Sequence, residues 1–233
     1  MGYKTELHCH TAPISTCSHI PPKKLMEMYR AAGYRTVVIA NHFSRVTFRS
    51  PHFKGSSWQD KLDYFFSAIK EAREAAEGLT VLHALEVRLD EHKDTDYLLY
   101  GATEQFLQAH PELLSLPFEK FSALVRGEGY LLYQAHPFRS GMLVTSPRLL
   151  DGIEVCNLHA AHCSRNDVAM LWAERMGLKK ISGSDLHEAD ATIGGGIETD
   201  KPITSEAELM AVLRDGNYRL LADTTPPDDA VSK

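Results

Sequence analysis

Tyr3-Lys4-Thr5-Glu6-Leu7-His8-Cys9-His10-Thr11 is the stretch around which the chain is organised. Residues 3–7 read as a strand, and side chains two apart on a strand share a face. His8 and His10 therefore reach one point in space while Cys9 faces away. Two imidazoles converging at the end of a first strand suit a transition metal. A pair of solvated histidines near a terminus has the same spacing, so the rest of the chain must decide.

Outward from this stretch, short β-rich runs alternate with amphipathic helical runs. Pro21-Pro22 opens a helix that Gly33 ends. Thr36 to Ala40 is a β-branched run, as expected of a strand covered on both faces, and it ends at Asn41-His42. A helical pattern from Ser57 to Glu77 stops at Gly78. The next strand is Thr80 to Leu89, with Glu86 near its end, and a short strand from Asp96 to Tyr100 closes at Gly101. Helical stretches over Thr103–Ala109 and Phe118–Arg126 lead to a strand from Tyr130 to Ala135, which ends in His136-Pro137-Phe138-Arg139. Gly152 to Cys156 is a strand ending at Asn157, and Ser164 to Met176 a helix stopped by Gly177. Lys179 to Ser182 runs into Gly183-Ser184-Asp185-Leu186-His187. Ser205, with Glu208 three residues on, opens a last helix. Tyr218 to Leu221 reads as a final strand.

Such alternation means a parallel sheet with helical crossovers, either an open doubly wound sheet or a closed barrel. The polar residues favour the barrel. His8/His10, Asn41/His42, Glu86, His136, Glu154/Asn157 and Asp185/His187 all fall at the C-terminal ends of different strands. In a barrel those ends surround one mouth, whereas an open sheet would spread them along an edge. The expected architecture is one domain over residues 1–223 with a tail over 224–233.

At 233 residues the chain fits one large α/β domain, and its 43% hydrophobic and 24% charged content is ordinary for a soluble protein. A net charge of −6 argues against a general nucleic-acid binder, whose affinity rests on phosphate neutralisation. The four cysteines form no C-x-x-C pair and are too few for a disulfide scaffold, which points to a reducing cytoplasm. No secretory leader precedes the first strand, and no apolar run reaches membrane-spanning length.

Taken singly, His42 reads as a helix cap, Glu86 as an arginine's partner and His136 as a turn former. Six strand ends delivering such residues to one mouth read jointly as a metal cluster, because buried charges are rare unless paired or metal-bound. His8-x-His10-Thr11, Asn41-His42, Glu86, Ala135-His136-Pro137 and Gly183-Ser184-Asp185-Leu186-His187, in this order, resemble the PHP (polymerase and histidinol phosphatase) superfamily. The resemblance runs from Tyr3 to Leu221. It implies a distorted seven-stranded (β/α) TIM-like barrel, up to three divalent metals at its mouth, and hydrolysis of phosphate esters. By the same resemblance His8, His10, Glu86 and Asp185 look like the ligands of one ion. His42, His187 and a loop histidine, for which His19 is the best local match, look like those of another. His136 would serve the remaining ion, with Glu86 bridging.

Three positions depart from the family pattern. Asn41 stands for the usual aspartate, Ala84 for a glycine, and Tyr100-Gly101 where a histidine is often found at the end of the fourth strand, which leaves the third metal position in doubt. The His/carboxylate set suits Zn²⁺, Mn²⁺ or Fe²⁺, as two or three ions. Asp185, His187 and Arg139 are the candidate catalytic residues, Arg139 because a guanidinium binds a phosphate oxygen bidentately; a surface salt bridge is its other reading. The loop from Phe43 to Ser56 carries Arg45, Arg49 and Lys54 and no acid. It reads equally as a lid attracting an anion or as a solvated loop. Arg45, Arg49, Arg139 and Asn157 are the candidate substrate contacts, while His159 and His162 are read as surface histidines.

The leading expectation is a metal-dependent phosphoesterase acting on a small phosphorylated metabolite. Its rivals are phosphodiester or oligonucleotide cleavage, protein-phosphotyrosine hydrolysis, and a metal-binding module without turnover. Metal-assisted amide hydrolysis is a more distant one, since no lysine is placed like a carbamylated bridge. Oligomeric state is left open.

Overall fold

The computed structural model describes residues 2–221; the tail expected over 224–233 lies outside them. The chain begins with strand β1 (Tyr3–Cys9), helix α1 (Pro22–Ala31), strand β2 (Tyr34–Ile39), the two-residue strand β3 (His42–Phe43) and helix α2 (Trp58–Glu74). Strands β4 (Thr80–Val87) and β5 (Tyr97–Tyr100) precede helices α3 (Glu104–Ala109) and α4 (Phe118–Gly127). Strands β6 (Leu131–Gln134) and β7 (Gly152–Asn157), helix α5 (Asn166–Met176), strands β8 (Lys179–Gly183) and β9 (Ile197–Thr199), helix α6 (Glu206–Asp215) and strand β10 (Arg219–Leu220) complete it.

The helices start where the chain supplies partners for their first N–H groups. Pro22 occupies the first turn of α1, where its missing N–H costs nothing. Ser57 and Asp60 cap α2 reciprocally, the Ser57 side chain accepting from the Asp60 N–H and the Asp60 carboxylate from the Ser57 N–H. Leu25, Met26 and Tyr29 turn one face of α1 onto Val37 and Ile39 of β2.

The sheet runs β10-β9-β1-β2-β4-β5-β6-β7-β8, with β3 added alongside β4. It closes where the chain beyond β8 meets β1: the Asp185 N–H donates to the His8 carbonyl at 2.7 Å and Cys9 bridges Leu186 in parallel. Seven strands therefore form a distorted barrel, and β9 and β10 fill the wedge between the first halves of β1 and β8. That wedge is narrow. Gly196 has φ +108°, and a Cβ there would lie 2.1 Å from the Thr5 carbonyl oxygen. Inside, Leu7, Val38, Leu82, Leu98, Tyr133 and Ile181 pack together, and Leu209, Met210 and Leu213 of α6 plug the bottom.

One strand departs from an all-parallel (β/α)7 plan. β5 runs antiparallel to both β4 and β6. Only residues 88–96 separate β4 from β5, too few for the dozen or more that a parallel crossover needs. The reversal has a direct consequence at the mouth. Tyr100, at the end of β5, lies at the bottom of the barrel against Tyr133, and Asp96, just before its start, lies at the top.

Candidate metal centre

β1 does not alternate regularly, and that irregularity sets the histidines. Glu6 Oε1 accepts the N–H groups of both Leu7 and His8, at 3.0 and 2.9 Å, and the β1–β2 register shifts at this point. Leu7 and His8 both face the interior, Cys9 packs against α1, and His10 faces inward again. Glu6, which strict alternation would place beside the histidines, instead binds Tyr29 and Ser184. Burial raises its pKa, against the pull of those bonds.

Hydrogen bonds on the far side of each ring select the tautomers. His8 Nδ1 donates to Glu154 Oε1 at 2.9 Å. His10 Nδ1 donates to Ser15 Oγ at 3.0 Å, and Ser15 passes its own proton to Asn41 Oδ1 at 2.9 Å. Both Nε2 atoms therefore point into the barrel, as a metal-binding imidazole requires, and they face each other at 3.1 Å. Glu86 and Asp185 bring carboxylate oxygens to the same place. Asp185 Oδ1 is 3.1 Å from His10 Nε2, and Glu86 Oε1 is 3.4 Å from His8 Nε2 and 3.1 Å from His136 Nε2.

Burial pushes both carboxyl groups toward the acid form, but the charges of His42 and His8 around Glu86, and of His8 and His136 around Asp185, hold both pKa values well below the usual range. Burial and the charges of His187 and His42 keep His10 neutral. Acceptors thus converge with few donors among them. Glu86 Oε2 lies 2.6 Å from His42 Nδ1, off the hydrogen-bonding direction, and accepts no hydrogen bond among the described residues. Such a donor set fits divalent cations. Ligating atoms lie within 4.8 Å of one another in four overlapping groups: His8/His10/Asp185, His10/His42/His187, His159/Asp185/His187 and His42/Glu86/Asp96.

The backbone is bent to fit. His136 and Asp185 have positive φ, +29° and +47°, a region costly for residues other than glycine and typical of functional sites. Gly183, at the end of β8, has no room for a side chain: a Cβ would meet His8 Cβ at 2.4 Å and Glu154 Oε1 at 2.5 Å. The last motif can pack on the first because that position is glycine.

Above the cluster opens a cavity of about 510 Å³, whose lining includes Cys17, His42, Glu86, Asp96, Asp185 and His187. Arg88, Arg139 and Arg165 also line it. Arg139 is no surface salt bridge. Its side chain is 12% exposed, and its Nη2 donates to Asp185 Oδ2 at 2.7 Å and Asn157 Oδ1 at 2.9 Å. Asn157 in turn donates to Asp185 Oδ2 and Glu154 Oε2, at 3.1 and 2.9 Å. It sits behind the cluster.

Three expected contacts lie elsewhere. His19 is 72% exposed and pairs with Glu188 at 2.6 Å, outside the convergent groups. Arg45 is tied to Asp90 at 2.6 Å and, with Arg49, lines a separate pocket beside Trp58 and Lys61. Conversely His159, read as a surface residue, stands against His187 with ring centroids 4.7 Å apart. Asp96, Arg88, Glu154 and Cys17 are the site residues that sequence reasoning missed or left without a role. Asp96 is held by Arg88 through two bonds of 2.7 and 2.6 Å. The short β4–β5 gap was the signal that pointed to Asp96. The Cys17 thiol is lowered to about 6: burial raises it, but hydrogen bonds with His187 and His42 prevail.

Residues 164–218 match the family model described as PHP-associated, on the segment that carries α5, β8 and the last motif. Over 95% of the chain, the fold matches a two-domain Bacteroides vulgatus protein containing a predicted PHP-like metal-dependent phosphoesterase, with TM-score 0.68 and 14% identity. The chain's fold is that of such PHP-like structures, and its C-terminal segment resembles the PHP-associated family. A Bifidobacterium adolescentis protein assigned as a metal-dependent phosphoesterase has a similar fold at TM-score 0.52 and 17% identity, over 91% of this chain and 96% of that one. The lesion-specific endonuclease of Pyrococcus furiosus matches at TM-score 0.62 and 14% identity over 94% of this chain. The chain spans 65% of the Bacteroides protein and 58% of the Pyrococcus one. No curated protein matches the sequence. Among the described residues no helix is long and apolar enough to cross a membrane.

Proposed function

We propose that the chain is a metal-dependent phosphoesterase acting on a small phosphorylated metabolite. The observation that carries this reading is the facing pair of His8 and His10 Nε2 atoms, 3.1 Å apart between two ionised carboxylates, Glu86 and Asp185, which themselves line a cavity with arginines in its wall. His8, His10, Glu86 and Asp185 would hold one ion, His42 and His187 a second, and His136 with Glu86 a third. Asp96, within reach of Glu86 and His42, would supply at this third position the anionic ligand that Tyr100 does not. Zn²⁺, Mn²⁺ and Fe²⁺ all suit the set. When bound, such ions supply an activated water and charge neutralisation at the phosphoryl group.

The protein's own part is positioning, which is most of what phosphoryl transfer asks. Arg139 is anchored by Nη2 on Asp185 and Asn157, and its Nε is buried without a partner among the described residues. A phosphate oxygen entering the cavity would complete it. Arg88 faces the same cavity from the end of β4. His159, whose pKa burial lowers to about 4, is neutral near pH 7 and offers a hydrogen bond without adding charge.

The test is metal analysis of the purified protein, followed by p-nitrophenol release from the phosphate monoester and the bis-ester, with and without added Mn²⁺. Monoester preference supports the proposal. Diester preference favours phosphodiester or nucleic-acid cleavage, the reading that the likeness to the Pyrococcus endonuclease supports. Full metal occupancy without turnover favours a binding module.

A further inference from the structure

The loop over residues 11–20 is tied at both ends. The Ala12 N–H donates to the Ile20 carbonyl at 2.9 Å, the Ser15 N–H to the Thr11 carbonyl at 3.0 Å, and the His19 N–H to the His187 carbonyl at 2.9 Å. Ser18 Oγ also reaches the His10 carbonyl at 3.3 Å. These ties hold the loop against the Asp185–His187 segment while directing the His19 ring out to Glu188. The side chain delivered to the mouth is Cys17. Its sulfur interacts with both His42 and His187 and lines the cavity over the cluster. His42 and His187 each pack on His10, at 4.6 and 4.4 Å between ring centroids, and the three imidazoles form one convergent group beneath the cavity that Cys17 lines. A second feature lies beside that group. Glu86 Oε2, on a residue 1% exposed, accepts no well-directed hydrogen bond among the described residues and lies 2.6 Å from His42 Nδ1.

We propose that Cys17, not His19, is a metal ligand, its thiolate joining His42 and His187 in an N₂S donor set. This rests on the metal-centre reading above. On ligation any proton still on the thiol leaves to solvent and the sulfur lone pair forms the bond to the cation. A thiolate is a soft donor, and the set selects Zn²⁺ or Fe²⁺ over Mn²⁺ and Mg²⁺. It also makes this position sensitive to oxidation, because sulfenic acid formation removes the donor.

The experiment loads the metal-free protein with Co²⁺ and reads the near-ultraviolet thiolate-to-cobalt charge-transfer band together with cobalt stoichiometry. Wild type should show the band. Cys17→Ser should lose it along with about one bound ion, while Cys17→His should lose the band but keep the ion. Cys163 lines the same cavity, so Cys163→Ser must leave the band in place. Circular dichroism of each variant verifies folding. Cobalt bound without a charge-transfer band, or a band that survives Cys17→Ser, overturns the thiolate assignment and leaves the phosphoesterase reading standing. Absence of bound metal from wild type overturns both.

Discussion

His8 Nε2 and His10 Nε2 face each other across 3.1 Å, each with its Nδ1 committed to a partner on the outer side. Two neutral imidazoles so arranged would repel through their lone pairs; in the metal-free protein the proton favoured on His8 relieves this, and a bound cation would take its place. The predictions below exploit that constraint.

Removing a residue of this pair's surroundings should separate metal from fold. Because loss of even an outer partner typically costs 10–100-fold, His10→Ala and Asp185→Ala should each lower phosphatase activity more than about 100-fold. Both should also abolish the metal-induced rise in Tm expected of wild type. Unchanged activity in either variant would remove that residue from the mechanism.

Glu154 touches the cluster only through His8 Nδ1, the His136 N–H and Asn157. Glu154→Gln should therefore weaken metal affinity by about 10–100-fold while leaving maximal metal stoichiometry intact. A metal titration followed by equilibrium dialysis reads both quantities. Equal affinity in the variant would mean that the tautomer of His8 is set by something else.

Arg88 and Asp96 form a two-point pair in which the carboxylate is buried and the guanidinium about one third exposed. Arg88→Met leaves Asp96 buried without its cation. We expect a loss of about 1.5–3 kcal/mol in the metal-free protein, the range for hydrogen bonds to charged groups. If Asp96 is within coordination reach of an ion, saturating metal should recover part of that loss. Urea denaturation with and without metal tests this directly.

The metal-free and metal-loaded proteins should respond to pH in opposite directions. Burial works against the cationic forms of His8, His42 and His187, yet neighbouring carboxylates, and for His42 and His187 also Cys17, raise their pKa values above the ordinary 6.5. Their stabilisation is complete below about pH 6.5 and is lost as pH climbs through the raised values. The Tm of the metal-free protein should therefore fall above neutrality. Glu86 and Asp185 have depressed pKa values, so their contribution is present above about pH 4 and is lost on acidification through those lower values. Metal competes with the histidine protons, so the loaded protein should hold or gain Tm over the same alkaline range. Parallel thermal melts from pH 6 to 9 (about three units, spanning the histidine range) would show the crossing. A metal-free Tm that rises with pH would refute it.

Much of the architecture could be read along the chain because its signals are local. Pro22 at a helix start, the β-branched run at Thr36–Ala40 and the polar residues following strand after strand each report on their own neighbourhood. The convergence of His8, His10, His42, Glu86, His136, Asp185 and His187 followed once a barrel was chosen over an open sheet, since closure brings strand ends together. The reversal of β5 was also legible, in the shortness of the gap before Asp96. Reading that strand as one more parallel unit directed attention to Tyr100, at the wrong end.

Residue types and their spacing were enough to identify the donor chemistry and the end of the barrel at which it collects, because strand alternation and turn signals act over a few residues. Which donor in the 11–20 loop reaches the mouth depends on ties between segments far apart in sequence, such as the His19 N–H on the His187 carbonyl. The same holds for Arg139, buried on Asp185 instead of exposed, and for Arg45, drawn away by Asp90. Hydrogen bonds and ion pairs select among side chains that are equally plausible along the chain, and their partners become neighbours only when the barrel closes.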